Sequence, residues 1–198
     1  MMFHQIPATI KARMVQLEAA DQTDRADGTA HHQRLRQVPP ETGRFLALMA
    51  SLAPAGPMLE IGASGGYSSL WLALACRQLG RQLTSYEILP AKAALARQTV
   101  EAAEVDDCVR LVEGDGMEGL RAAEPLAFVF LDADKDRSLA YLALIMDRLL
   151  PGGLLLADNA ISHRDRMTPM IEAAAADPRL DSLVVPIGKG VLVCRRTL

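Results

Sequence analysis

The stretch LEIGASGGYSS, residues 59–69, runs a short apolar segment straight into three glycines, and YSSLWLALACRQL follows with helical spacing. Few folds turn that tightly from strand to helix. A buried strand that ends in a glycine turn and opens a helix is the ligand corner of doubly wound α/β proteins. Backbone N–H groups are free there, and the helix dipole favours negative charge. The glycines are Gly62, Gly65 and Gly66, so Ser64 stands where the dinucleotide pattern G-x-G-x-x-G wants its second glycine. Tyr67 and Ser68 add hydroxyls beside the turn. The spacing argues against a nicotinamide dehydrogenase and suits a smaller anionic group, such as a carboxylate.

From Pro39 onward the pattern around this corner is regular. PETGRFLALMASLA has helical spacing with prolines at its start, which helix N-termini accept. Strand candidates recur as PMLEIG, QLTSYEI, VRLVEG, LAFVFLDA, GGLLLADN, SLVVPIG and GVLVCRR. Helical stretches separate the first five, notably YSSLWLALACRQL, PAKAALARQTVEAAE and RSLAYLALIMDRLL. Such alternation predicts a parallel sheet covered by helices. Too few residues lie around Gly188-Lys189-Gly190 for a parallel crossover, so the last two strands should form an antiparallel hairpin. HRDRMTPMIEAAAADPRL supplies the helix before it. Residues 1–40 differ: IPATIKARMVQLEAA reads as an amphipathic helix, and the polar stretch after it breaks at Asp27-Gly28. A chain of 198 residues suits one domain, and with 4% aromatics its core should be mostly Leu, Ala, Val and Ile.

In open α/β sheets the ligand lies beyond the C-terminal strand ends. Glu60, Glu87, Asp115, Asp132 and Asp158 all fall there. Any one could cap a helix; five successive strands ending in carboxylates suggest more. Glu87, 25 residues after Gly62, stands at an exposed strand end where an acidic residue commonly pairs with ribose hydroxyls. Asp115-Gly116 could border an adenine. Asp132, Asp158 and Asn159 offer only hard oxygen donors, which suit Mg²⁺, Mn²⁺ or Ca²⁺ and disfavour Zn²⁺. The alternative is that Asp158 and Asn159 merely turn the chain.

The pieces LEIGASGGYSSLWLA, SYEI, EGDG, FLDADKDR and PGGLLLADN together resemble the cation-dependent O-methyltransferases, over roughly residues 36–198. That family includes catechol and caffeoyl-CoA O-methyltransferases and many bacterial relatives. The resemblance implies a Rossmann-like class I methyltransferase fold: a mostly parallel seven-stranded sheet, a C-terminal antiparallel hairpin and helices on both faces. It implies S-adenosylmethionine as cofactor, its carboxylate end against Gly62, Ala63 and Ser68, its ribose at Glu87 and its adenine near Asp115 and Gly116. Glu60, Asp132 and the segment around Val38 match positions lining the same cofactor. Asp132, Asp158 and Asn159 match the ligands of a divalent cation, with Mg²⁺ first and Mn²⁺ or Ca²⁺ as alternatives. Asp132 thereby joins the catalytic centre, where Lys135 matches the lysine that acts as base or substrate-orienting cation. The expected acceptor is a small hydroxylated molecule of catechol type. The expected assembly is a homodimer of single-domain chains, residues 1–38 forming a helical segment that lines the site or the dimer interface.

Departures from the family lie in the acceptor half. Only 39 residues follow Asn159, the terminal hairpin reads IGKG at residues 187–190 where many relatives read IGDG, and RLRQVPPETG replaces a stretch ending in SPEQG. A CoA thioester acceptor is not supported. His31-His32 reads as solvated, and His163 as a helix start that could also visit the pocket. Arg25, Arg34 and Arg36 read as surface or as contact to a second subunit, and Trp71 as core. A tRNA hydroxyuridine acceptor is the alternative within the same chemistry, disfavoured by the net charge of −3. A non-catalytic S-adenosylmethionine-binding protein is another, disfavoured by the joint presence of Asp132, Lys135, Asp158 and Asn159. The N-terminus carries no apolar targeting core and no later run approaches a membrane span, so a soluble cytoplasmic protein without membrane partners is expected. Cys76, Cys108 and Cys194 are far apart and should be reduced thiols.

Overall fold

A computed structural model describes residues 2–198. Seven strands form one sheet in the order β3-β2-β1-β4-β5-β7-β6: β1 (Met58–Ile61), β2 (Leu83–Glu87), β3 (Val109–Glu113), β4 (Leu126–Leu131), β5 (Leu149–Asp158), β6 (Leu180–Val185) and β7 (Val191–Arg196). The first five are parallel, and β7 runs antiparallel between β5 and β6, as the short Gly188–Gly190 connection requires. β4, LAFVFL, is buried along its whole length, as a central parallel strand covered on both faces must be.

Helices α1 (Ala8–Ala26), α2 (Pro40–Leu52), α3 (Tyr67–Leu79) and α4 (Pro90–Ala102) belong to one face of the sheet. Helices α5 (Gly116–Ala122), α6 (Ser138–Met146) and α7 (Arg164–Ala176) cover the other. Two apolar clusters therefore flank the sheet, with Leu46, Leu70, Trp71 and Phe128 in one and Leu120, Val129, Ile145 and Leu155 in the other. All three cysteines are free and buried. No helix among the described residues is long and apolar enough to cross a membrane.

Two elements differ from the sequence reading. α1 continues past the apolar pattern to Ala26 because its polar end has tertiary partners. Asp21, nearly buried, accepts from Arg25 Nε at 2.7 Å and from the Gln37 amide at 3.3 Å. α5 escapes a propensity reading because GMEGLRA carries two glycines. Both are packing requirements: a Cβ on Gly116 would meet Ile61, and one on Gly119 would meet the Tyr86 ring.

The connections from β1 and β4 leave in opposite directions, so a crevice opens at their C-terminal ends. Glu87, Asp115, Asp132 and Asp158, at the ends of four strands, gather around it.

Candidate active site

The glycine turn is tied to both neighbouring strands. The amides of Gly62 and Ala63 donate to the Tyr86 carbonyl at 2.8 and 3.1 Å, and the Asp132 amide donates to Ile61 at 2.9 Å. Gly62 adopts φ +98°, and a Cβ there would lie 2.3 Å from the Asp132 carbonyl oxygen. Only glycine lets the ends of β1 and β4 approach this closely. Gly66 then enters α3 in the left-handed conformation, and no side chain caps the helix. The first amides of α3 thus lack a side-chain partner at a positive helix end.

Glu87 is 6% exposed, which corrects the expectation of an exposed strand end. One carboxylate oxygen accepts the Ser64 amide at 2.8 Å and the other the Leu89 amide at 2.9 Å. Those bonds fix the carboxylate at the cavity wall. Ser64, at φ +48°, also donates its hydroxyl to the Leu35 carbonyl at 2.7 Å, linking the turn to the N-terminal segment. Asp115 caps α5 by accepting the Met117 amide at 2.9 Å, and Arg137 reaches its other oxygen at 3.1 Å. The Met117 amide first, and the Arg137 cation in support, hold the Asp115 carboxyl below the usual range.

Asp132 and Asp158 leave adjacent strands one residue beyond the Leu131–Ala157 register pair. Lys135, 8% exposed, opens a short 3₁₀ turn (Lys135–Arg137) and places Nζ 2.6 Å from Asp132 Oδ1. Asp158 is 1% exposed, and neither of its carboxylate oxygens has a hydrogen-bond partner. Burial, reinforced by the Asp132 charge, pushes its carboxyl up to about 7, against the nearby Asn159 backbone amide first and the cations Lys135 and Lys189 after it. Asn159 follows at φ +69°, its amide nitrogen 3.4 Å from Ser162 Oγ. Two buried oxygens without donors beside a second carboxylate and an amide oxygen suit a hard cation. His, Cys, Asp and Glu form no group of three at metal-binding distance among the described residues, so the set reaches three donors only with the Asn159 amide.

A cavity of about 590 Å³ joins these parts. It is lined by Val38, Gly62, Ala63, Ser68, Glu87, Asp115, Gly116, Asp132, Lys135 and Asn159. Asp158 lies just behind this surface, and Glu60 is elsewhere. Strand alternation turns Glu60 under α3, fully buried, where Ser85 donates at 2.5 Å to the same oxygen that Ser69 holds. Burial there pushes its carboxyl upward despite those hydroxyls.

The N-terminal segment roofs the cavity, but beyond Val38 the individual roof residues are not singled out by the sequence. Arg25, His31 and Arg36 are exposed and Arg34 partly so, as expected of surface residues, and all four also border the cavity. Lys92 draws the roof down by donating to the Arg34 carbonyl at 2.7 Å, and Asp24 takes the Leu35 amide at 2.8 Å. A polar run without periodicity gives no sign of such long-range bonds. His163 stands at the α7 N-terminus as expected and also lines the cavity, its Nδ1 3.0 Å from Ser162 Oγ. Trp71 is core, as expected.

The sequence model of the O-methyltransferase family matches residues 18–197. A catechol O-methyltransferase from Mycobacterium tuberculosis is 31% identical over 161 residues, covering 75% of this chain and 73% of that protein. A caffeoyl-CoA O-methyltransferase from Medicago sativa is 29% identical, covering 79% and 73%. Among solved structures, the O-methyltransferase from Bacillus cereus in complex with SAH superposes with a TM-score of 0.77 at 27% identity, covering 92% of this chain and 91% of that one.

Proposed function

The chain belongs to the O-methyltransferase family, and we propose that it methylates a hydroxyl of a small catechol-like molecule with the help of a divalent cation. The reaction class is O-methyl transfer dependent on S-adenosylmethionine, which supplies an electrophilic methyl group on its sulfonium. The observation that carries the finer reading is the buried, unpartnered carboxylate of Asp158 beside Asp132.

For the cofactor, the amides near Gly62 and Ala63 and the Ser68 hydroxyl would hold the amino-acid end, and Glu87 the ribose. Asp115 and Gly116 would border the base, with Val38 on the roof. Those residues are polar where the cofactor is polar, and Glu87 is already fixed by backbone donors before any ligand arrives. For the metal, Asp132, Asp158 and Asn159 would be the ligands, with Mg²⁺ the leading candidate. A phenolic hydroxyl has a reference pKa of about 10, and a bound divalent cation favours its ionised form. Lowering that value by about three units corresponds to roughly 4 kcal/mol. Lys135 would take the hydroxyl proton on Nζ or steady the phenolate, and the cavity walls would hold oxygen, methyl and sulfur in line. The same reading carries a homodimer working in the cytoplasm.

Calorimetric titration with S-adenosylmethionine, with and without Mg²⁺, followed by turnover assays on a catechol panel tests the proposal. Cofactor binding with Mg²⁺-dependent methylation of catechols is the expected result. Cofactor binding without methylation of any catechol would overturn the acceptor assignment.

A further inference from the structure

The cavity does not stop at the carboxylates. Past Gln37 and Val38 it adjoins a groove between the end of α1 and the β6–β7 turn, and Arg25, Gln37, Val38 and Lys189 border both spaces. Val38 and Pro39 give this groove an apolar floor. Its acidic residues are already committed. Asp21 takes Arg25 and the Gln37 amide, and Glu18 takes the Tyr67 hydroxyl at 2.6 Å.

Lys189 is different. Among the described residues it makes no ion pair, although it is only partly exposed. Its backbone is also clamped. The Lys189 carbonyl accepts from Ile161 and Ser162 at 3.1 and 3.0 Å, two and three residues after Asn159. The flanking glycines, at φ +54° and +86°, are packed so that a Cβ on Gly188 would strike Thr42 and Pro39, and one on Gly190 would strike Ile161. The turn is thus seated against both the roof and the loop after β5. An ammonium with no ion pair is held at the junction of the cavity and its apolar annex, where its charge also bears on Asp158.

We propose that Lys189 determines acceptor specificity by receiving a carboxylate carried on the acceptor ring away from the reacting hydroxyl, so that the preferred acceptors are small aromatic hydroxy acids. The inference rests on the O-methyltransferase reading above and names the substrate class for that site. One free ammonium suits a monoanion; a phosphate would call for a cluster of donors, and the neighbouring Arg25 already shares its charge with Asp21. The apolar floor suits the ring, and a charge-assisted hydrogen bond at its far edge would fix which hydroxyl faces Lys135.

The test compares 3,4-dihydroxybenzoate with its methyl ester, which keeps the catechol and removes the charge. The readout is the ratio of kcat/KM for acid over ester in wild type, Lys189→Arg, Lys189→Met and Lys189→Glu. The same ratio is read by calorimetric binding of both compounds with S-adenosylhomocysteine present, which needs no turnover. Wild type should favour the acid, Lys189→Met should lower the ratio by about tenfold or more, and Lys189→Glu should lower it further. Lys189→Arg should largely keep it. An acid-to-ester ratio unmoved by Lys189→Met in both assays would overturn the inference while leaving catechol methylation intact. A binding ratio that falls as described, with neither compound methylated, would support the role of Lys189 and overturn the catechol reaction instead.

Discussion

Asp132 and Asp158 stand side by side at the ends of β4 and β5, and only Asp132 has a partner, the Lys135 ammonium at 2.6 Å. A charge left alone in a dry site is expensive, which makes the stability of the metal-free protein depend on pH. The folded Asp158 carboxyl is raised to about 7 from 3.8, so the folded state holds its proton more tightly than the unfolded chain. Its contribution is fully present below about pH 4 and is lost as pH rises towards 7, at most roughly 4 kcal/mol. Thermal unfolding of metal-free protein should show this fall, and Asp158→Asn should flatten it. An Asp158→Asn profile parallel to wild type would mean that other groups set the dependence.

Oxygen ligation predicts a clean separation of cofactor from metal. Chelator should abolish turnover, Mg²⁺ or Mn²⁺ should restore it, and S-adenosylmethionine affinity should change little. Asp158→Ala should behave like chelated enzyme and ignore added metal. Full activity in excess chelator would place the protein among metal-independent methyltransferases.

Gly62 faces the Asp132 carbonyl with no room for a side chain. Gly62→Ala combines a clash with backbone at φ +98°, and should cost about 2 kcal/mol or more in urea unfolding. Because the displaced group is Asp132 itself, metal-dependent turnover should fall as well. An unfolding midpoint equal to wild type would show that the turn relaxes without strain.

The parts of this site that could be read in the sequence are local. The glycine turn, the strand-end carboxylates and the DADK loop each declare themselves within a few residues, because strand, turn and helix constraints act over that range. Alternation along β1 also carries the information that Glu60 and Ile61 face opposite ways, so the inward turn of Glu60 is legible in the strand pattern. Arg25, Arg34, Arg36 and Lys189 were not legible as cavity residues. Their positions depend on Asp21, Asp24, Lys92 and the Ile161–Ser162 amides, which are distant in sequence.

Glu87 illustrates how a buried position alters a mutational test. Glu87→Ala would strip partners from the Ser64 and Leu89 amides as well as from the ribose, so it mixes folding with binding. Glu87→Gln keeps an acceptor oxygen and removes the charge. It should weaken S-adenosylmethionine by roughly 1.5–3 kcal/mol in calorimetry, with a smaller effect on unfolding. Unchanged affinity would move the ribose elsewhere.

Lys135 presents two roles that a single variant cannot separate. Its ion pair with Asp132 holds it on the loop beyond β4, at the wall of the cavity that Asn159 also lines. As a base it would accept the acceptor proton; as a positioning cation it would steady an oxygen already ionised. Lys135→Met should cut turnover about a hundredfold or more, within the range of general acid–base catalysis, while cofactor affinity changes little. The acidity of the acceptor distinguishes the roles. If Lys135 takes the proton, the loss should shrink for a nitro-substituted catechol, whose hydroxyl ionises with less help, and remain large for unsubstituted catechol. Equal losses across acceptors of widely different acidity would mean that Lys135 orients the substrate and leaves its proton alone.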